Sequence, residues 1–157
     1  MIYLDSGCTI NTNVSKRLKE YLDMIKTNDS KILSFQMRFV ENEWTTKEIL
    51  DSFGVERNGW IAASGQIMAT VLIMQKCDGV IKIFKDCLDK IRKDPLMITD
   101  YYNSSQMPGF RENRHDQSFL SVTRKIHGSV IIPDETWSQN WDELRKRGIP
   151  FLATRLR

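Results

Sequence analysis

The run Ile67-Met68-Ala69-Thr70-Val71-Leu72-Ile73-Met74 limits this chain more than any other stretch. It is apolar without alternation, as a strand buried on both faces must be. Its two methionines and its alanine read as core filling rather than as a cofactor surface. Just before it, Ala62-Ala63-Ser64-Gly65-Gln66 supplies small side chains, which let another chain segment or a ligand come close. Elsewhere, strand patterns alternate with helical ones. Met1–Leu4, Ile32–Met37 and Ser129–Pro133 read as strands. Val14–Thr27 reads as a helix with Leu18, Tyr21, Leu22 and Ile25 on one face. Thr45-Thr46-Lys47-Glu48 reads as a capping box opening a short helix that ends at Gly54, with Trp44 as its staple or as a pocket wall. Asp78 caps a helix whose buried stripe is Val80, Ile81, Phe84, Leu88 and Ile91, and Asp94-Pro95 ends it. A last helical piece spans Trp141–Arg147. The expected fold is α/β, a mixed layered sheet with flanking helices, in a single domain over residues 1–157.

Composition narrows the function classes. Hydrophobic residues make up 41% and charged residues 27%, an ordinary globular balance. The net charge of +3 is small, and basic residues are mostly interleaved with acidic ones, so nucleic acid is not an expected partner. The end of the chain differs: Arg145, Lys146, Arg147, Arg155 and Arg157 follow one another with no acid between. That segment suits either phosphate or plain solvation. Cys8, Cys77 and Cys87 form no CxxC pair, and two histidines are too few for a histidine cluster. No stretch is long and apolar enough for a membrane span, and no signal peptide is legible, so a cytoplasmic setting is expected.

Two stretches carry chemistry. Asn113-Arg114-His115-Asp116-Gln117-Ser118 packs amides, a guanidinium, an imidazole, a carboxylate and a hydroxyl into the start of a helix that continues through Phe119, Leu120, Val122 and Ile126. Asp116 reads as its N-cap or a first-turn residue, and the helix start suits an anionic ligand. The bland account is a well-capped loop with a solvated Arg114 and with His115 on a carbonyl. Asp5-Ser6-Gly7, leaving the first strand, puts a carboxylate where open α/β sheets bind ligands; an ordinary turn reads the same way.

Taken in order, Tyr3-Leu4-Asp5-Ser6-Gly7, Ser64-Gly65-Gln66-Ile67-Met68 and His115-Asp116-Gln117-Ser118 resemble the later part of GT-A type, glycogenin-like glycosyltransferases, and Ile132-Pro133 resembles the short strand that follows there. The resemblance implies transfer of a sugar from a nucleotide-sugar donor to a glycan or other hydroxyl acceptor. It implies a partial GT-A domain lacking the nucleotide-binding half that precedes the Asp motif, hence an N-terminally truncated one. By the same resemblance Asp5 would anchor Mn²⁺ or Mg²⁺, with Gly7 where the family has its second acid. Ser64, Gly65 and Gln66 would face the donor sugar, Asp116 and Gln117 would bind the transferred sugar with Arg114 and His115 as further substrate-binding residues, and Arg155 or another residue of the basic tail would neutralise the diphosphate. Such chemistry needs positive charge on the leaving group and a carboxylate base for the acceptor hydroxyl, for which Asp100 and Asp116 are the candidates. Two rivals stand beside this reading: a non-catalytic remnant that binds glycan or protein, and a metal-dependent hydrolase or nuclease using Asp5, Asp100, Asp116 and His115.

Overall fold

A computed structural model describes residues 1–12 and 16–154. The expected helix start at Val14 and the expected ligand group Arg155 lie outside the described residues. The architecture is mixed α/β, a mixed sheet with flanking helices. Two compact units divide the chain. The first is Met1–Phe35, Thr70–Val80 and Ser129–Arg157; the second is Gln36–Ala69 and Ile81–Gly128.

In the first unit the edge strand β1 (Ile2–Leu4) pairs antiparallel with β5 (Val71–Met74), Tyr3 opposite Leu72. The first residues of β3 (Ile32–Val40) take the other side of β5, Leu33 opposite Ile73. All four β5 residues are buried, which accounts for the missing alternation. Helix α1 (Lys16–Thr27) contacts β5 and buries Tyr21 and Ile25, with the Tyr21 ring edge-on to Phe35 at 5.5 Å. Leu22 stands 40% exposed, outside the expected stripe. The buried Tyr21 hydroxyl donates to Glu135, which also accepts from Arg17 Nε at 2.8 Å. A two-stranded ladder joins β2 (Thr9–Ile10) to β7 (Phe151–Leu152). Leu144, from α7 (Trp141–Lys146), packs with Ile149 and Leu152. The strand β6 (Val130–Pro133) pairs with β3.

The second unit is built around one long helix, α6 (Asp116–His127), laid against β4 (Gly65–Ile67). β4 pairs antiparallel with the end of β3, Ile67 opposite Gln36 and Val40 opposite Gly65, with a register shift between. Short helices α2 (Glu41–Trp44), α3 (Lys47–Ser52) and α4 (Trp60–Ala63) come between these strands, and the body of α5 (Asp78–Lys93) follows them. Two apolar clusters pack α6 down: Phe119 with Ile49 and Cys87, and Val122 with Leu50 and Ala62. The buried side chains of α5 are Val80, Ile83 and Cys87, while Ile81 and Leu88 stand exposed, so the stripe is rotated from the expected one. The α3 cap is also displaced by one residue. Thr46 caps through Ile49 N–H, and Thr45 turns inward to Glu41.

The expected single strand over Ile67–Met74 is broken. β4 ends at Ile67 and β5 begins at Val71. The reason is on α6. The Arg124 guanidinium takes the carbonyls of Met68 at 2.6 Å and Ile67 at 3.4 Å, and the Gln117 amide oxygen takes the Ala69 N–H at 3.2 Å. Backbone groups that a ladder would have paired are bonded to helix side chains instead, so the ladder stops there.

Candidate functional site

The site is a helix start on a buried polar pedestal. Glu41, fully buried, is its centre. One carboxylate oxygen accepts from Thr45 Oγ1 at 2.5 Å and Gln66 Nε2 at 3.2 Å. The other accepts from Lys125 Nζ at 2.6 Å and from the Ser121 hydroxyl. Gln66 is 1% exposed, and its amide nitrogen also faces Trp44 O and Ser118 Oγ. Its amide oxygen accepts from Gln117 Nε2 at 2.7 Å. A Glu41 carboxylate in this position is held by donors on three sides, as a buried charge requires. Burial pulls the Lys125 ammonium below the usual lysine range, against the opposing pull of Glu41. Complete burial lowers Arg124 to about 9.

Above the pedestal the chain is held in a rare conformation. His115 occupies the position before α6 with φ 53° and ψ −120°. A positive φ on a non-glycine residue costs of order 1–3 kcal/mol and persists only where its surroundings enforce it. The surroundings are visible. His115 N–H donates to Asn113 Oδ1 at 3.2 Å. Asn113 is itself buried, with its amide on Met97 O at 2.9 Å and Thr99 O at 3.0 Å. Arg114 N–H reaches both Trp44 O and Ser118 Oγ at 3.2 Å. The imidazole Nε2 lies 2.9 Å from Asp100 Oδ1, so His115 faces a carboxylate rather than the carbonyl of the bland account. Asp116 is the first helical residue rather than the cap; it is exposed, and no described residue pairs with its carboxylate.

The sequence-predicted residues thus divide. Asp100, Arg114, His115, Asp116 and Gln117 gather with Gln66 in the second unit. Gln66 is a positioning group there, since burial and its own bonds occupy its amide. Ser64 is spent locally: its hydroxyl donates to Ile61 O at 2.9 Å and its carbonyl accepts from Glu41 N–H. Gly65 answers the close approach expected of the small-residue run, and the approaching segment is β3. A Cβ at Gly65 would run into the carbonyl oxygen of Met37, so only glycine fits. Asp5 lies in the first unit, exposed at the end of β1, accepting from the Tyr3 hydroxyl at 2.8 Å. The Gly7 carbonyl of that turn accepts from Thr154 at 3.0 Å.

Two features went unseen in the sequence. The Arg114 guanidinium stacks over the Trp44 ring, 4.4 Å from its centroid, and that of Arg111 lies 5.8 Å away. The Trp44 indole N–H is buried with no hydrogen-bond partner among the described residues. The tryptophan therefore orients Arg114 rather than acting only as a staple for α3. The second is the acid–imidazole pair itself, since Asp100 and His115 are separated by a loop whose path no local pattern fixes.

The arrangement offers a carboxylate at Asp116, an oriented acid–imidazole pair and a guanidinium within three consecutive residues and one loop partner. It is less suited to a free anion at the helix N-terminus, because Gln117 N–H and Ser118 N–H already bond to Arg114 O and His115 O. Among the described residues no group of three His, Cys, Asp or Glu side chains comes together to hold a metal ion. At the Asp5 turn the described donors amount to a single carboxylate, which does not by itself make a cation cage. No protein-family model matches the chain, and neither the curated proteins nor the solved structures contain a match to it.

Proposed function

We propose that the protein is a glycosyltransferase-like protein that binds a nucleotide sugar and moves its sugar to a glycan or other hydroxyl acceptor. The observation that supports this reading is the strained His115 between Arg114 and Asp116, locked by Asn113, Trp44 and the Gln66–Gln117 amide pair. Strain of this kind collects where geometry serves chemistry. Sugar hydroxyls need fixed donors and acceptors, and Arg114, Asp116 and the free edge of His115 supply both kinds. Asp100 orients the imidazole, and the pair can take a proton from an acceptor hydroxyl while Asp116 accepts from the sugar. The guanidinium of Arg114, stacked on Trp44, adds positive charge for a departing phosphate.

The test is a thermal-shift panel of UDP-, GDP- and CDP-sugars, each with and without Mn²⁺. A donor at a hundred times its dissociation constant stabilises the fold by about 2.7 kcal/mol. The reading expects a shift with one donor class, abolished by Asp116→Asn, an exposed position whose exchange leaves the core untouched. Asp5→Asn separately probes the metal role that the resemblance implies. A folded protein with no shift for any donor refutes transfer and leaves the non-catalytic remnant.

A further inference from the structure

The second unit carries a groove of about 320 Å³ lined by Thr46, Glu48, Asp94, Tyr101, Tyr102 and Asn103, with Leu96 and Met97 as its apolar lining. None of the site residues described above lines it, but Tyr101 directly follows Asp100 in the chain. We propose that this groove binds a neutral carbohydrate, the acceptor glycan of the transferase reading, on which this inference rests.

Four observations carry it. First, the volume lies within the range of small-molecule sites, about 300–1,000 Å³. Second, its polar lining holds two carboxylates and no Lys, Arg or His, so it repels phosphates and excludes the nucleotide donor. Third, Tyr101 stands 76% exposed, an uncommon cost for a large aromatic ring, and it offers a flat apolar face with a hydroxyl at its edge. Neither phenol hydroxyl has a partner among the described residues. Aromatic faces with polar tips suit a ligand that is apolar on its C–H face and hydroxylated at its rim.

Fourth, the groove is preorganised. Glu48 accepts from Asn103 N–H at 3.4 Å and from Gln106 Nε2 at 2.8 Å. Gln106 Oε1 in turn accepts the Lys47 N–H at 2.8 Å, tying the 103–106 loop to α3. Asp94 caps the turn at Pro95–Ile98 through Leu96 N–H. The Tyr102 ring is fixed edge-on to Phe110 at 5.2 Å. Glu48 already accepts at both oxygens, which favours a neutral hydroxylated ligand over a cationic one. Asp94 Oδ2 and the two phenols remain to bond sugar hydroxyls.

The experiment is to read the fluorescently labelled full chain on an array of neutral oligosaccharides, and to titrate the best ligand against wild type, Tyr101→Ala and Tyr101→Phe. A Lys-rich peptide serves as the cationic probe. The expected result is binding to a neutral glycan that weakens at least tenfold in Tyr101→Ala and less in Tyr101→Phe, with the melting temperature unchanged in both. Binding of the peptide and not of any glycan overturns the proposal, as does glycan binding indifferent to Tyr101→Ala. The donor panel separates the two claims. A donor shift without glycan binding sinks the groove and keeps the transferase. Glycan binding lost in Tyr101→Ala, with no donor shift, keeps the groove as a lectin-like site and sinks transfer.

Discussion

The buried Glu41–Lys125 pair should behave as one unit, and a double-mutant cycle can show it. Both side chains are fully buried, 2.6 Å apart. Lys125→Met leaves the Glu41 carboxylate without its counter-charge, although Thr45, Gln66 and Ser121 still donate to it. Glu41→Gln leaves the Lys125 ammonium without a carboxylate, beside a neutral amide and Ile61 O at 3.4 Å. Breaking a buried pair by removing one partner costs about 3–5 kcal/mol. The three surviving donors place Lys125→Met near the lower figure, about 3 kcal/mol, or roughly 6–12 °C for a chain of this length. Removing both charges abolishes the unpaired state, so the double variant should be less destabilised than the sum by about 2–3 kcal/mol, near the top of the coupling range. Urea melts of the four proteins, read by far-UV circular dichroism, measure all terms. Additivity within about 0.5 kcal/mol would refute the reasoning, because Glu41 and Lys125 would then not share a buried interaction.

Gly65→Ala must push β4 off β3 at Met37 O and should cost about 1–3 kcal/mol, measured by the same urea melts. His115→Gly relieves the positive φ and loses only an exposed pair with Asp100, so stability should hold or rise by about 1 kcal/mol while donor-dependent shifts fall; loss of more than that in a melt would count against strain. The Tyr21 hydroxyl is raised above its ordinary value of 10.0, first by burial and then by Glu135. Its folded-state protonation is thus retained where the unfolded chain ionises, and its stabilisation, complete below pH 10, is lost as pH climbs beyond that. Tyr21→Phe should therefore flatten the fall of stability above pH 10, read from melts at stepped pH; an unchanged slope would discard Tyr21 as the source.

The strands and helices with simple periodicity were readable from the chain, because burial of one face imposes the period. α1 and α6 fall where the pattern put them within the described residues, and Gly54 stops α3. The misreadings share a cause. The run from Ile67 to Met74 looked like one strand since nothing local marks its centre. It is cut by Arg124 and Gln117, more than forty residues away in sequence. The α3 cap moved by one residue because Thr45 is drawn to Glu41, a tertiary partner stronger than the local capping preference. The rotated α5 stripe follows the position of Phe119 beside Cys87 rather than the count of apolar residues on each face. In the site, the chemically rich stretch before α6 was legible from residue types, whereas Gln66, expected to face the donor sugar, is a buried strut.

The same helix explains why so much polarity is buried. An apolar core beneath α6 would tolerate sliding and rotation, since apolar side chains repack with modest cost. Ser118, Ser121, Lys125 and Gln117 on α6 instead each meet a specific partner on α2 or around β4, and a shift of one residue would leave all of them unsatisfied. The network therefore sets the axial and angular position of the helix more sharply than its apolar contacts do. What is positioned so carefully is the start of the helix: Arg114 on its tryptophan, His115 against Asp100, and Asp116 free at the surface. Holding groups to within a fraction of an ångström is a demand that catalysis and small-ligand binding make, and the proposed sugar site would make it of these three residues. A merely structural helix cap has no such demand, and the strain at His115 would then be a cost with no return.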